Sequence, residues 1–125
     1  MTVLVLDSGA LIAVDRGDRR AILDLWLEHR HQRRMVTHPM VVAQVWRGGR
    51  QAMLARFLKG VDVRSIDDAI GRRCGELLAT AGASDPVDAA VVVLARNGDH
   101  IVTSDPHDIT QLVEASGRAV RVVPV

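Results

Sequence analysis

The stretch Ser84-Asp85-Pro86-Val87-Asp88-Ala89-Ala90-Val91-Val92-Val93-Leu94-Ala95 reads as a helix start followed by a helix with no polar residue until Arg96. Asp85 is a good N-cap, and Pro86 suits the first helical position, where a backbone N–H would have no partner in any case. Asp88 comes three residues after Asp85 and so lies on the same face, one turn along. A helix this apolar belongs in a core, and a carboxylate at its mouth is costly to desolvate unless positive charge answers it. The helix N-terminus supplies part of that charge. A bound cation would supply the rest, so the reading of the chain turns on whether other carboxylates converge on Asp88.

Working outward, the preceding segment predicts a helix capped by Asp67, running to about Thr80 and followed by Gly82. On the other side, Asn97-Gly98 ends the apolar helix, His100–Thr103 reads as a strand, and Ser104-Asp105-Pro106 starts a helix that runs to about Ala115. Val120–Val123 is a last strand. At the amino end, Val3-Leu4-Val5-Leu6 is the continuous apolar run of a strand buried on both faces. It ends at Asp7-Ser8-Gly9, and either Asp7 or Ser8 caps a short helix over Ala10–Val14. Asp18–His31 is amphipathic, with Ile22, Leu23, Trp26 and Leu27 on one stripe and Asp24 and Glu28 outside it. Met35–Thr37 is a strand candidate, His38-Pro39 breaks the chain, and helices are expected over Met40–Trp46 and Arg50–Leu58, with Gly48-Gly49 between them. Val61–Ile66 alternates as a strand does.

Short, apolar, β-branched strands alternating with helices predict an α/β fold with a mainly parallel central sheet and helices on both faces. Without repeats or a linker, residues 1–125 form a single domain. Aromatics are confined to Trp26, Trp46 and Phe57, so Val, Leu, Ile and Ala must build the core. The one cysteine, Cys74, has no internal partner and reads as a small core residue in a reducing compartment. No apolar run reaches the roughly 20 residues of a membrane span, and no basic segment precedes an apolar one at the amino end. A cytoplasmic protein is expected. The net charge of +1 implies no polyanionic partner by itself. The cations are nearly all arginine, with Lys59 the one lysine, and they gather at Arg16, Arg19, Arg20, Arg30, Arg33 and Arg34, then Arg47, Arg50 and Arg56. Guanidinium suits bidentate phosphate contacts, although a solvated face explains the same pattern.

In parallel α/β sheets, function sits in the crevice at the carboxyl ends of the strands. Asp7 ends the first strand and Asp105 follows the His100–Thr103 strand, so both belong at that edge. Asp88, with Asp85 beside it, would have to reach the same place from a helix that follows a helix. Each acid has a plainer reading: Asp7, Asp85 and Asp105 as helix caps, and Asp108 as a first-turn acid favouring the helix dipole. Their joint occurrence favours a metal. Clustered carboxylates repel and are driven to protonate, a conflict that a hard divalent cation removes, and all-oxygen ligands select Mg²⁺ or Mn²⁺. The reaction class is metal-assisted phosphoester hydrolysis. Rival motifs are weak. There is no P-loop and no GxGxxG after the first strand, no second acid two residues after Asp7, and no positioned base for Ser8 or Ser104. His29 and His31 stand two apart on a helix end and face different ways.

The segments VLVLDSGALIA, VVAQVWRGGRQAMLARFL, SDPVDAAVVVLA and IVTSDPHDI together resemble a PIN-domain ribonuclease, specifically a VapC-type toxin of bacterial toxin–antitoxin pairs, over the whole chain. The resemblance implies a three-layer α/β/α fold, an Mg²⁺- or Mn²⁺-dependent endoribonuclease acting on RNA, a homodimer, and a cognate antitoxin that blocks the site. Asp7, Asp88 and Asp105 resemble the family's metal-binding acids. The family usually has a glutamate where Gln44 stands, and Gln44 and Asp85 would position the ion or its waters. Arg47 and Arg50 are candidates for phosphate contacts, with surface solvation as the alternative. Leu11, Ile12, Met40, Val41, Leu54, Phe57 and Leu58 make more apolar helix surface than one small sheet obviously covers, which favours partners. Two rivals to this reading are a catalytically weak PIN fold that binds RNA or antitoxin, and a metal-dependent nuclease or phosphatase acting on DNA or small phosphates.

Overall fold

A computed structural model describes residues 2–30 and 34–125, apart from the side chains at 26 and 28–30. The expectations for Trp26, Glu28, His29, Arg30, His31 and Arg33 lie outside those described residues. In chain order the elements are β1 (Val3–Leu6), α1 (Ser8–Asp15), α2 (Arg19–Arg30), β2 (Arg34–Thr37), α3 (Pro39–Val45), α4 (Ala52–Leu58), β3 (Asp62–Val63), α5 (Asp68–Ala81), α6 (Pro86–Leu94), β4 (His100–Thr103), α7 (Pro106–Ser116) and β5 (Arg121–Pro124). The strands form one sheet in the order β3-β2-β1-β4-β5, and every pairing is parallel. Helices α1 to α4 pack around α1, while α5, α6 and α7 pack on one another, giving the expected α/β/α layering.

β1 is central, so Leu4, Val5 and Leu6 are buried against both layers, as an unbroken apolar run requires. α6 is as buried as its sequence demanded: Ala89, Ala90, Val91, Val92 and Leu94 all lie in the core. Cys74 is there too, and burial pushes its thiol up. Polar termini are closed locally. Asp99, although buried, accepts from the backbone N–H of Val3 at 3.0 Å and of Arg96 at 2.8 Å, joining the start of β1 to the loop before β4. Gly82 closes α5 at φ 65°, the left-handed conformation in which glycine carries no Cβ penalty.

Three expectations need correction. The strand expected over Val61–Ile66 shrinks to Asp62–Val63, because β3 is an edge strand whose two residues pair only with Val36 and Thr37 of β2. The inward stripe of α2 is rotated: Ala21 and Leu25 are buried, whereas Leu23 and Leu27 stand 57% and 44% exposed. Of the apolar surface assigned to partners, Leu11, Val41, Leu54 and Phe57 are core residues, Ile12 and Leu58 pack against the core, and only Met40 is exposed. The helix layer over β1 and β2 is thick enough to use that surface internally.

Candidate metal centre

Asp7 sits at the carboxyl end of β1, held there by its backbone N–H donating to Val102 O at 3.0 Å on β4. Its buried carboxylate caps α1. One oxygen accepts from Ser8 N at 2.8 Å, and the other accepts from the Thr103 hydroxyl at 2.8 Å. Thr103, fully buried at the end of β4, accepts in turn from Asp105 N at 3.0 Å. One hydroxyl therefore sets two of the expected acids relative to each other. The turns that carry them touch. A Cβ on Gly9 would meet Ser104 Oγ at 2.3 Å and Ser104 N at 2.7 Å, so only glycine allows the loop after β1 to lie this close to the loop after β4.

α6 brings its first turn to the same edge. Asp85 is the N-cap and accepts from Val87 N at 2.9 Å and from Asp88 N at 3.4 Å. Across the site, His38 follows β2 directly and caps α3. Its Nδ1 accepts from Met40 N at 3.3 Å, which leaves Nε2–H to donate to Val87 O at 3.0 Å. Burial lowers the pKa of His38 in spite of the Val87 carbonyl and the Asp7 charge, so the ring is neutral and serves as a buried clamp on the turn that carries Asp88. His38 and Thr103 were read from sequence only as a chain break and a strand residue. A polar residue ending an otherwise apolar parallel strand was the available signal for both.

The result is a crowd of carboxylates. Oxygens of Asp88, Asp105 and Asp108 lie within 4.8 Å of one another. Asp88 is pushed up to about 7, first by burial and then by the charges of Asp7, Asp85, Asp105 and Asp108. Its carboxylate accepts no hydrogen bond among the described residues. Asp105 is the N-cap residue of α7 but makes no side-chain cap, so its exposed carboxylate is free for the cluster. An all-oxygen donor set with one half-buried, proton-retaining member suits a hard divalent cation. Asp108 joins this group. Asp7 stands behind it, coupled to Asp88 through its charge and engaged by Ser8 and Thr103.

Gln44 lies in the last turn of α3, exposed, and its side chain makes no hydrogen bond among the described residues. Arg47 is occupied at that helix end: its guanidinium donates to the carbonyls of Ala43, Gln44 and Trp46, satisfying acceptors that the helix terminus leaves open. Gln51 closes the following loop, accepting from Arg47 N and Gly48 N and donating to Val45 O at 2.9 Å. Arg50 is exposed.

No family model matches this sequence, and no curated protein matches it either. Among solved structures, the fold is similar to that of a chain in VapBC2 from Rickettsia felis, described in complex with a DNA fragment from the VapBC2 promoter. The match has a TM-score of 0.73 at 12% identity and covers 99% of each chain. At that identity the likeness is one of fold, and at that level it bears out the resemblance read from the acidic motifs.

Proposed function

We propose that this chain is a VapC-type toxin: an Mg²⁺- or Mn²⁺-dependent endoribonuclease that hydrolyses RNA phosphodiester bonds and is held inactive by a cognate antitoxin in the cytoplasm. The observation that carries the reading is the convergence of Asp88, Asp105 and Asp108, with Asp7 behind them, at the carboxyl edge of a parallel sheet. Asp7, Asp88 and Asp105 would hold the ion, joined by Asp108, with Asp85 adding charge from the rim. A divalent ion bound there lowers the pKa of water and offsets charge on phosphoryl oxygens. Burial and the surrounding carboxylates raise the Asp88 carboxyl to about 7, so an ion bound there would displace a proton from it. Neutral His38 adds no competing positive charge and keeps the first turn of α6 in place. Partners have apolar surface to use: Leu23 on α2 and Met53 on α4 are 57% and 52% exposed. A homodimer and an antitoxin helix are the proposed occupants.

The deciding experiment incubates purified protein with RNA, single-stranded DNA and a small phosphomonoester, each with Mn²⁺ or with EDTA. RNA alone should be cut, only with metal, and Asp88→Asn should abolish the cutting. Cleavage of DNA or the monoester in preference to RNA would move the protein to another phosphoesterase class. Metal-independent cutting would remove the site assignment. Light scattering at micromolar concentration should report a dimer.

A further inference from the structure

A cavity of about 450 Å³ opens beside the carboxyl end of α6, lined by Arg64, Arg73, Arg96 and Arg118 over apolar Ile70 and Val93, with no carboxylate among its described lining residues. Arginines gathered around one solvent-open space repel, screened in part by water, and an ion pair is the usual further relief. Here that relief is scarce. Arg64 holds Asp62 through Nε at 3.3 Å. Arg118 donates through Nη1 to the carbonyls of Val92, Val93 and Ala95, the open acceptors at the end of α6. Arg73 and Arg96 have no acidic partner among the described residues. The neighbouring acids are engaged or turned elsewhere. Asp99 gives both oxygens to backbone N–H groups, and Glu76, one turn beyond Arg73, lines an adjoining hollow together with Arg73 and Arg118 yet forms no ion pair with either among the described residues.

We propose that this cavity is a phosphate-binding site for a nucleotide-sized ligand. Arg73 and Arg96 would grip the phosphate, and Ile70 and Val93 would support the apolar face of the attached base. Two uncommitted guanidiniums offer the forked donors that phosphate oxygens accept, and the volume lies within the roughly 300–1,000 Å³ of small-ligand pockets. The site is separate from the acidic cluster. The six residues from Asp88 to Leu94 put about 9 Å of helix between them. The same chemistry has two sources, a free nucleotide or one nucleotide of an RNA strand, and neither depends on the cleavage reaction proposed above.

The test is calorimetric titration of the full chain in EDTA at about 0.1 M salt, where any metal-dependent reaction is silent, with ADP and with a ten-nucleotide single-stranded RNA as probes. The variant is Arg73→Gln/Arg96→Gln. Both side chains are exposed and have no acidic partner among the described residues, and the substitution leaves the Arg96 backbone bond to Asp99 in place, so the unfolding temperature should match wild type; Arg118 is left intact because it caps α6. Wild type should bind at least one probe saturably, and the double variant at least tenfold more weakly. Binding of ADP alone assigns the free nucleotide, and binding of the RNA alone assigns the strand. Three results would each overturn the proposal: neither probe binding at millimolar concentration, equal binding by the double variant, or a loss that follows Asp88→Asn in place of the arginine pair.

Discussion

Asp85-Pro86 and Asp105-Pro106 share one local grammar, an acid before a proline at a helix start, yet the structure uses them differently. Asp85 turns its carboxylate back onto the N–H groups of Val87 and Asp88, as an N-cap does. Asp105 makes no such bond, although its helix also needs a cap. A serine precedes each pair, and the difference lies two residues before it. The residue two before Asp105 is Thr103, at the end of a buried strand, and its hydroxyl takes the Asp105 N–H while donating to Asp7. That tether leaves the Asp105 side chain free beside Asp88 and Asp108. The residue two before Asp85 is Ala83, in a helix-to-helix loop with no hydroxyl to offer. A cap and a ligand are thus the same residue type, distinguished by what the neighbouring strand end does.

The contrast is broken most directly by removing one charge at a time. Asp105→Asn keeps the shape and should reduce metal-dependent RNA cleavage at least about a hundredfold, the scale of losing one electrostatic contact in a catalytic site. Its stability without metal should not fall, because the native side chain makes no cap and its charge only adds to the repulsion at Asp88. Cleavage within a few-fold of wild type would make Asp105 a surface acid and return the two prolines to one role.

Asp88 sharpens the same contrast through pH. Its carboxyl is raised from 3.8 to about 7 in the folded protein, so the native state holds a proton that the unfolded chain has released. Between those values the metal-free fold loses stability as pH rises, and above about 7 the loss is complete. The groups facing Asp88 are Asp7, Asp85, Asp105 and Asp108, so the repulsion comes from the end of β1 and the starts of α6 and α7. Asp88→Asn should therefore stabilise the EDTA-treated protein at pH 8 by about 1–2 kcal/mol, a figure already reduced for solvent screening, and change little at pH 4. Denaturant unfolding at the two pH values checks this. Wild-type stability should rise on adding Mg²⁺ at pH 8, and Asp88→Asn should lose that gain. Equal stability of the two proteins at pH 8 would mean that the acids do not crowd.

Most of the fold was legible because two periods are simple. Val3–Leu6 reads as a strand buried on both faces, His100–Thr103 as a strand, and the apolar run after Asp88 as a buried helix. The misread parts are those where tertiary packing overrides local pattern. Leu23 and Leu27 were expected inward, but the layer below α2 accepts Ala21 and Leu25. Val61–Ile66 alternates, yet an edge position with one neighbour pairs only two residues. In the site, the acids were visible as acids. What sequence could not show is that Thr103 and His38 join their segments, since a hydroxyl and an imidazole at strand ends become linkers only through residues 96 and 49 positions away. Asp108 reads from sequence either as a companion of Asp105 in the cluster or as a dipole acid, and the structure places its oxygen beside those of Asp88 and Asp105.

Gln44 tests how complete the acidic set is. Where the resemblance expects a glutamate, this chain has an exposed neutral side chain without a hydrogen bond among the described residues. Gln44→Glu should lower the metal concentration for half-maximal cleavage by roughly tenfold if the added attraction is about 1.4 kcal/mol. An unmoved titration would place Gln44 outside the metal's reach and leave the set at the acids of α6 and α7 with Asp7.

The smallest effect separates the two functions that Asp85 combines. Its carboxylate caps α6 by hydrogen bonding, and its charge helps to raise Asp88. Asparagine caps a helix about as well as aspartate does, whereas alanine does not cap at all. Asp85→Asn should therefore leave stability nearly unchanged while removing charge from the rim of the site, so half-maximal cleavage should need only a few-fold more metal. Asp85→Ala should lose the same charge and, in addition, about 1 kcal/mol of stability from the missing cap. Thermal unfolding in EDTA reads the cap, and a metal titration of cleavage reads the charge. The two substitutions should differ in the first measurement and agree in the second. If Asp85→Asn were instead to abolish cleavage as completely as Asp105→Asn, Asp85 would be a ligand that also caps, and the division between the two Asp-Pro pairs would no longer hold.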